Sequence, residues 1–169
     1  PPNSQEAEQS VLGGLMLNDQ HWFDLVDILQ PSDFYRNQHQ LIYQAMIELA
    51  NQDEALDAVT VSEKLKSKAI LEKAGGIEYL GQLAESSTGA SNVLAYARII
   101  RERSVLRQLI GAANQIADSA FSTEGKDSET LLEKAEQAIF SISEREGSAD
   151  GPLGIDSLLT RAVERIEIL

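Results

Sequence analysis

The 169-residue sequence contains no cysteine. Disulfide bonds and thiolate metal sites are therefore excluded, and the composition is compatible with the reducing cytosol, so a cytoplasmic protein is expected. Aromatic residues make up only 5% of the chain, and runs of strand-favouring residues are scarce, which leaves little to build a sheet from. No apolar run approaches the roughly 20 residues that a membrane span needs. No membrane partner is expected, and no signal peptide is visible. Positive charge is in short supply: 14 Lys and Arg stand against 27 Asp and Glu, a formal net charge of −13. Such a surface repels phosphate backbones, because nucleic-acid binding is driven mainly by Lys and Arg contacts. The chain is not expected to grip DNA by itself, and the plainer reading of its charge is solubility.

What the chain does have is helix formers: Ala, Leu, Ile, Glu and Gln abound. Its apolar content of 43% is that of an ordinary globular protein. An all-α fold is expected, and the residue spacing lays it out in order. Asn3 or Ser4 caps a first helix, whose buried face is Ala7, Val11, Leu12 and Leu15. Gly13 and Gly14 sit within it at a cost to helix stability, so another backbone is expected to come close. A second helix reads over about 19–30, carrying Trp22, Phe23, Leu25, Val26 and Leu29, and is ended by Pro31. Asp33-Phe34-Tyr35 is a turn with aromatic plugs. A third helix opens near Asn37 or Gln38 with the stripe Ile42, Ala45, Met46 and Leu49. Thr60-Val61-Ser62-Glu63 reads as a capping box for a fourth. Gly75-Gly76 breaks the chain before a short helix with Tyr79, Leu80 and Leu83. The longest helical stretch starts at Ser91 or Asn92 and runs to about Phe121. A six-residue connection joins it to a helix over about 128–144. This organisation is a compact helical head at 1–104, an antiparallel helical hairpin at 105–146, a flexible linker at 147–154, and an amphipathic terminal helix at 155–169.

The hairpin and the terminal helix carry the expected interface. Leu106, Leu109, Ile110, Ala113, Ile116 and Ala117 lie on the first hairpin helix; Leu131, Leu132, Ala135, Ile139 and Ile142 lie on the second. Pairs such as Leu109 with Ile110 and Leu131 with Leu132 widen each stripe beyond a single seam. Apolar surface is left over, and its burial at about 25 cal/mol per Å2 favours a partner; the competing reading is that the hairpin folds back on the head. The terminal helix places Ile155, Leu158, Leu159, Ala162, Val163, Ile166 and Leu169 on one side. A helix of that length is marginal alone in water, so it is expected to order on docking. Pro1 is not a translation start, and the chain stops within this helical pattern, so the sequence reads as a piece of a longer protein.

Catalytic chemistry finds no support. The nearest stretch to a phosphate-binding loop, 120–127, replaces its first Gly with Ala120 and its Ser/Thr with Asp127. His21, Asp24 and Asp27 diverge around a helix and read as a solvated acidic face rather than a metal site. His39 follows an aromatic turn and reads as a packing or capping residue. No G-x-S-x-G elbow appears. The basic concentration Arg98, Arg101, Arg103 and Arg107 could bind an acidic partner or a phosphate strand, but reads rather as pairing with carboxylates within the chain or across subunits, because no aromatic platform accompanies it. No catalytic, cofactor-binding or metal residue is assigned.

Four stretches together resemble a known family. They are Ser4-Gln5-Glu6-Ala7-Glu8-Gln9-Ser10-Val11-Leu12-Gly13; Asp33-Phe34-Tyr35 with His39 and Ile42-Tyr43; Gly75-Gly76 with Tyr79-Leu80 and Leu83; and Asn92 with Tyr96-Ala97, Ile100, Glu102, Arg107 and Leu109-Ile110. In this order they resemble the opening of the bacterial replicative DNA helicases of the DnaB family; Thr88 departs from the Pro that members often carry. The resemblance implies an N-terminal domain plus linker helix. It implies self-association from dimer to hexamer, as a trimer-of-dimers collar above six motor domains. It also implies docking of primase and a helicase loader, and a linker helix that docks on the neighbouring subunit's motor. ATP, Mg, 5′→3′ translocation and DNA contact would then belong to the parent hexamer and its motor, with no cofactor in these residues. Two alternatives remain: a freestanding helical adaptor, such as a helicase loader or inhibitor copying this domain, and an all-helical hydrolase using surface carboxylates and His21.

Overall fold

The structure is a computed structural model that describes residues 1–87 and 92–149, with side chains through residue 145. Among the described residues there are seven α-helices and no strand. The chain divides into two compact units, Pro1–Leu106 and Arg107–Leu169.

Helix α1 (Gln5–Leu17) begins where Ser4 Oγ accepts the Ala7 N–H at 3.2 Å. This satisfies one of the donors that a helix start leaves unpaired. Ala7, Val11, Leu12 and Leu15 are buried as expected. Gly13 and Gly14 allow the expected close approach. A Cβ on Gly13 would overlap the Leu83 carbonyl oxygen, and one on Gly14 would lie 2.7 Å from Val93 Cγ2.

Helix α2 spans only Trp22–Ile28. Residues 18–21 form a turn instead, with Asn18 Oδ1 accepting the Gln20 N–H and the Asp19 carbonyl accepting the Trp22 N–H. Leu29 is already extended. Pro31 starts a 3-10 turn, Pro31–Asp33, closed by Asp33 Oδ2 accepting the Gln30 N–H at 2.7 Å. Phe34 follows as a buried plug, its ring 4.9 Å from that of Tyr43. Tyr43 O–H donates to the Leu29 carbonyl at 2.9 Å.

Helix α3 is Asn37–Asn51, with Ile42, Ala45, Met46 and Leu49 buried. Helix α4 is Ala58–Ser67, and here the expected capping box is wrong by one turn. The cap is Asp57, whose Oδ1 accepts the Thr60 N–H at 2.8 Å. Thr60 sits inside the first turn, and its hydroxyl donates back to the Ala55 and Asp57 carbonyls. Helix α5 (Gly76–Ser86) starts after Gly75 at φ +105°, where a Cβ would lie 2.7 Å from the Tyr79 ring. In the first unit α1 packs on α5 and α3, and α4 packs on α3 and α5.

Helix α6 (Val93–Phe121) is 29 residues long. Val93, Ala97 and Ile100 enter the core of the first unit. Beyond Leu106 the helix belongs to the second unit, an antiparallel helical hairpin with α7 (Ser128–Ala149). Helix α7 runs past the expected end at 144 and through Gly147. A lone glycine costs a helix about 1 kcal/mol and does not by itself stop it. Residues 150–154 of the expected linker and the whole terminal helix at 155–169 lie outside the described residues, as do Thr88 and the possible cap Ser91.

Candidate protein–protein interface

The hairpin seam follows a heptad spacing. Ala112 and Ile142 are buried, with Ile116, Ser119, Leu131, Ala135 and Ala138 half-buried. Helix α7 starts on Asp127, whose carboxylate accepts the Thr130 N–H at 2.9 Å. Its hydrogen bonds with Thr130, side chain and then backbone, hold the Asp127 carboxyl below its ordinary value. Lys126 beside Lys134 holds the Lys134 ammonium below its ordinary value.

The seam does not use up the apolar residues. On α6, Leu109, Ile110, Ala113 and Ala117 are exposed, and so is Leu106 at the end of the first unit. On α7, Leu132 is 64% exposed and Ile139 41%. Thus, of the expected interface residues, Leu106, Leu109, Ile110, Ala113, Ala117, Leu132 and Ile139 face water. Ile116, Leu131 and Ala135 are half-buried, and Ile142 is buried. Two further exposed side chains were not expected: Phe121, 93% exposed, and Phe140, 65% exposed. Phe140 was visible as a neighbour of Ile139 that widens its stripe. A single exposed apolar side chain is ordinary, but rows on successive helical turns mark interfaces. The expected docking residues Ile155, Leu158, Leu159, Ala162, Val163 and Ile166 lie outside the described residues.

Two buried polar clusters brace the first unit. Glu8, on the inner face of α1, accepts the Tyr35 N–H at 2.9 Å and the Arg36 N–H at 3.4 Å. Its Oε1 also meets His39 Nδ1 at 2.7 Å. A carboxylate only accepts, so the proton lies on Nδ1. His39 Nε2 then faces Tyr79 O–H at 2.6 Å. The second cluster centres on Asp33, whose Oδ1 accepts from Arg101 Nη1 at 3.1 Å and from Ser104 Oγ at 2.7 Å. Arg101, read in the sequence as part of a basic concentration, is thus engaged by the chain's own carboxylate. Arg103 lies 4.0 Å from Glu102.

The stretch 120–127 is the hairpin turn. Gly125 takes φ +81°, the Lys126 N–H is bonded to the Thr123 carbonyl, and Glu124 and Asp127 flank it with negative charge. Among the described residues no group of three His, Cys, Asp or Glu side chains is placed to hold a metal ion. None of the described helices is long and apolar enough to cross a membrane.

Comparison with known proteins agrees with this picture. Residues 1–102 match the DnaB-like helicase N terminal domain family. The replicative DNA helicase DnaB of Haemophilus influenzae is 40% identical over 170 aligned residues; the match covers all of this chain and 36% of that helicase. The chain therefore spans about a third of the length of the curated relatives it matches. Among solved structures, the N-terminal domain of the DnaB helicase from Mycobacterium tuberculosis is 36% identical with a TM-score of 0.80, covering 83% of this chain and 99% of that one. The N-terminal domain from the Helicobacter pylori DnaB helicase, described with its interactions with primase, is 28% identical. Its TM-score is 0.58, and the match covers 68% of this chain and 89% of that one. An all-helical head that carries the family pattern from its first residue, followed by the helical hairpin, makes this chain a member of the DnaB-like helicase N terminal domain family.

Proposed function

We propose that this chain is the self-association and partner-docking collar of a ring-shaped replicative DNA helicase that unwinds the fork in the cytoplasm. The observation that carries the reading is the open apolar face of the hairpin, with Ile110 48% and Leu132 64% exposed. Burying such a side chain is worth about 2 kcal/mol, and a face that repeats on each subunit closes a ring when the rotation between copies closes. The head at 1–104 and the hairpin at 105–146 pair into dimers, and dimers into a hexamer as a trimer of dimers. Primase docks on this collar, as the solved Helicobacter pylori relative suggests, and a helicase loader engages the assembled ring. With α7 running to Ala149, a shorter linker over 150–154 leads to a terminal helix at 155–169, which seats Ile155, Leu158, Leu159, Ala162, Val163 and Ile166 on the neighbouring subunit's motor. ATP and Mg act in that motor, and single-stranded DNA is drawn through the hexamer rather than held by this acidic chain. The role of these residues is mechanical: they set the ring's geometry and present its partners.

The test is the double variant Ile110→Glu/Leu132→Glu. Both positions are exposed, so the helical content measured by circular dichroism is expected to hold while the mass in sedimentation velocity falls to that of the monomer. Calorimetric titration with the primase helicase-binding domain is expected to lose its heat in parallel. An unchanged oligomer mass would overturn the reading.

A further inference from the structure

A different surface of the first unit is built for a partner of opposite charge. Two clefts of about 310 and 270 Å3 join where α1, α2, α3 and α4 meet, sharing Asp19 and Leu56 in their walls. Their walls are of mixed polarity, with buried Trp22 contributing apolar surface to one and Leu15 and Met16 to the other. Each cleft carries a large apolar side chain open to water, Phe23 at 80% exposure and Leu17 at 55%. The rim is of one sign. Asp19, Asp53 and Glu54 border the first cleft, Asp19 and Asp57 the second, and no Lys or Arg lines either. None of the four is in an ion pair among the described residues. On α2 the exposed Asp27 follows one turn after Phe23 and continues the negative edge.

This combination selects its occupant. An exposed aromatic beside a cleft with buried apolar side chains in its wall can anchor a protein contact. A rim of carboxylates that make no ion pair among the described residues steers cations toward it and turns away nucleic acid. A second copy of this chain, itself at −13, would bring further negative charge to the same edge. We propose that the joined clefts around α2 dock a cationic peptide segment of another protein, with Lys or Arg on the carboxylate rim and an apolar side chain seated on Phe23. This surface is distinct from the hairpin face and does not depend on it.

The experiment titrates the chain with a fluorescent synthetic peptide of Lys-Leu-Leu-Lys repeats, and with a matched peptide in which Ser replaces every Leu. The leucine peptide is expected to bind more tightly. Phe23→Ser, and separately Asp53→Lys/Glu54→Lys, are each expected to weaken it roughly tenfold or more, the scale of a lost anchor. Glu78→Lys/Glu85→Lys on α5 changes the net charge equally and is expected to leave the affinity unaltered. Amide shifts on binding are expected to concentrate in residues 15–28 and 50–57. The proposal is overturned if the α5 pair weakens binding as much as the cleft pair, or if the serine peptide binds equally well. It is also overturned if Phe23→Ser lowers the chain's own sedimentation mass, which would make a second copy the occupant.

Discussion

Glu8 holds three donors on one carboxylate: the Tyr35 and Arg36 amides and the His39 ring. It is 1% exposed, so no water replaces a lost partner. A stranded buried donor costs about 1–3 kcal/mol. Glu8→Ala is therefore expected to destabilise the chain by about 3 kcal/mol, read from the urea midpoint at unchanged slope; a loss below about 1 kcal/mol would reject the role given to Glu8. Half of this residue's story was legible in the sequence. Glu8 falls three and four positions before Val11 and Leu12, hence on the apolar side of α1, and a carboxylate there demands partners. The partners were not legible, because Tyr35, Arg36 and His39 lie 27, 28 and 31 residues away. Asp33 makes the same point. Its binding to Arg101 spans 68 residues, so no local pattern announces it.

Helix ends show how local chemistry meets tertiary context. Ser4 was readable as a cap because it precedes an apolar stripe with no rival but Asn3. Helix α4 offered both Asp57 and Thr60, each able to cap by type. The choice fell to Asp57 because Leu56 is buried in the core, which pins the chain just before it. Helix α7 has a cap of the same kind in Asp127, and its lowered carboxyl, caused by the hydrogen bonds with Thr130, has a consequence for pH. A group whose value is depressed on folding stabilises the ionised folded form. The contribution is complete above the ordinary carboxyl range of about pH 4 and is lost as pH falls through the lowered value. Amide exchange at Thr130 and Leu131 is expected to lose protection on acidification in the wild-type chain. In Asp127→Ser, which keeps a cap without a carboxyl, that dependence is expected to vanish. Equal acid sensitivity in both proteins would show that the cap is not its source.

The whole molecule carries its excess negative charge into every association. Copies at −13 repel one another, and salt screens that repulsion over a Debye length of about 8–10 Å at physiological strength. Self-association through the apolar hairpin face is therefore expected to strengthen as NaCl is raised. Binding of a cationic peptide at the α2 clefts is expected to weaken over the same range. Sedimentation mass and peptide affinity followed through one salt series would give slopes of opposite sign. Slopes of the same sign would mean that one driving force governs both surfaces.

Helix content, helix order, the core stripes of α1 and α3, and membership of the family were all determined by the sequence itself. They rest on periodicity, on breakers such as Pro31 and Gly75, and on ordered local motifs, each of which acts within a few residues. The tertiary structure alone decided which polar residues were buried together and which of two caps was used. It also decided which apolar hairpin residues turned to the seam and which stayed in water. Those outcomes depend on what packs against each helix, and no stretch of chain read by itself contains its own neighbours.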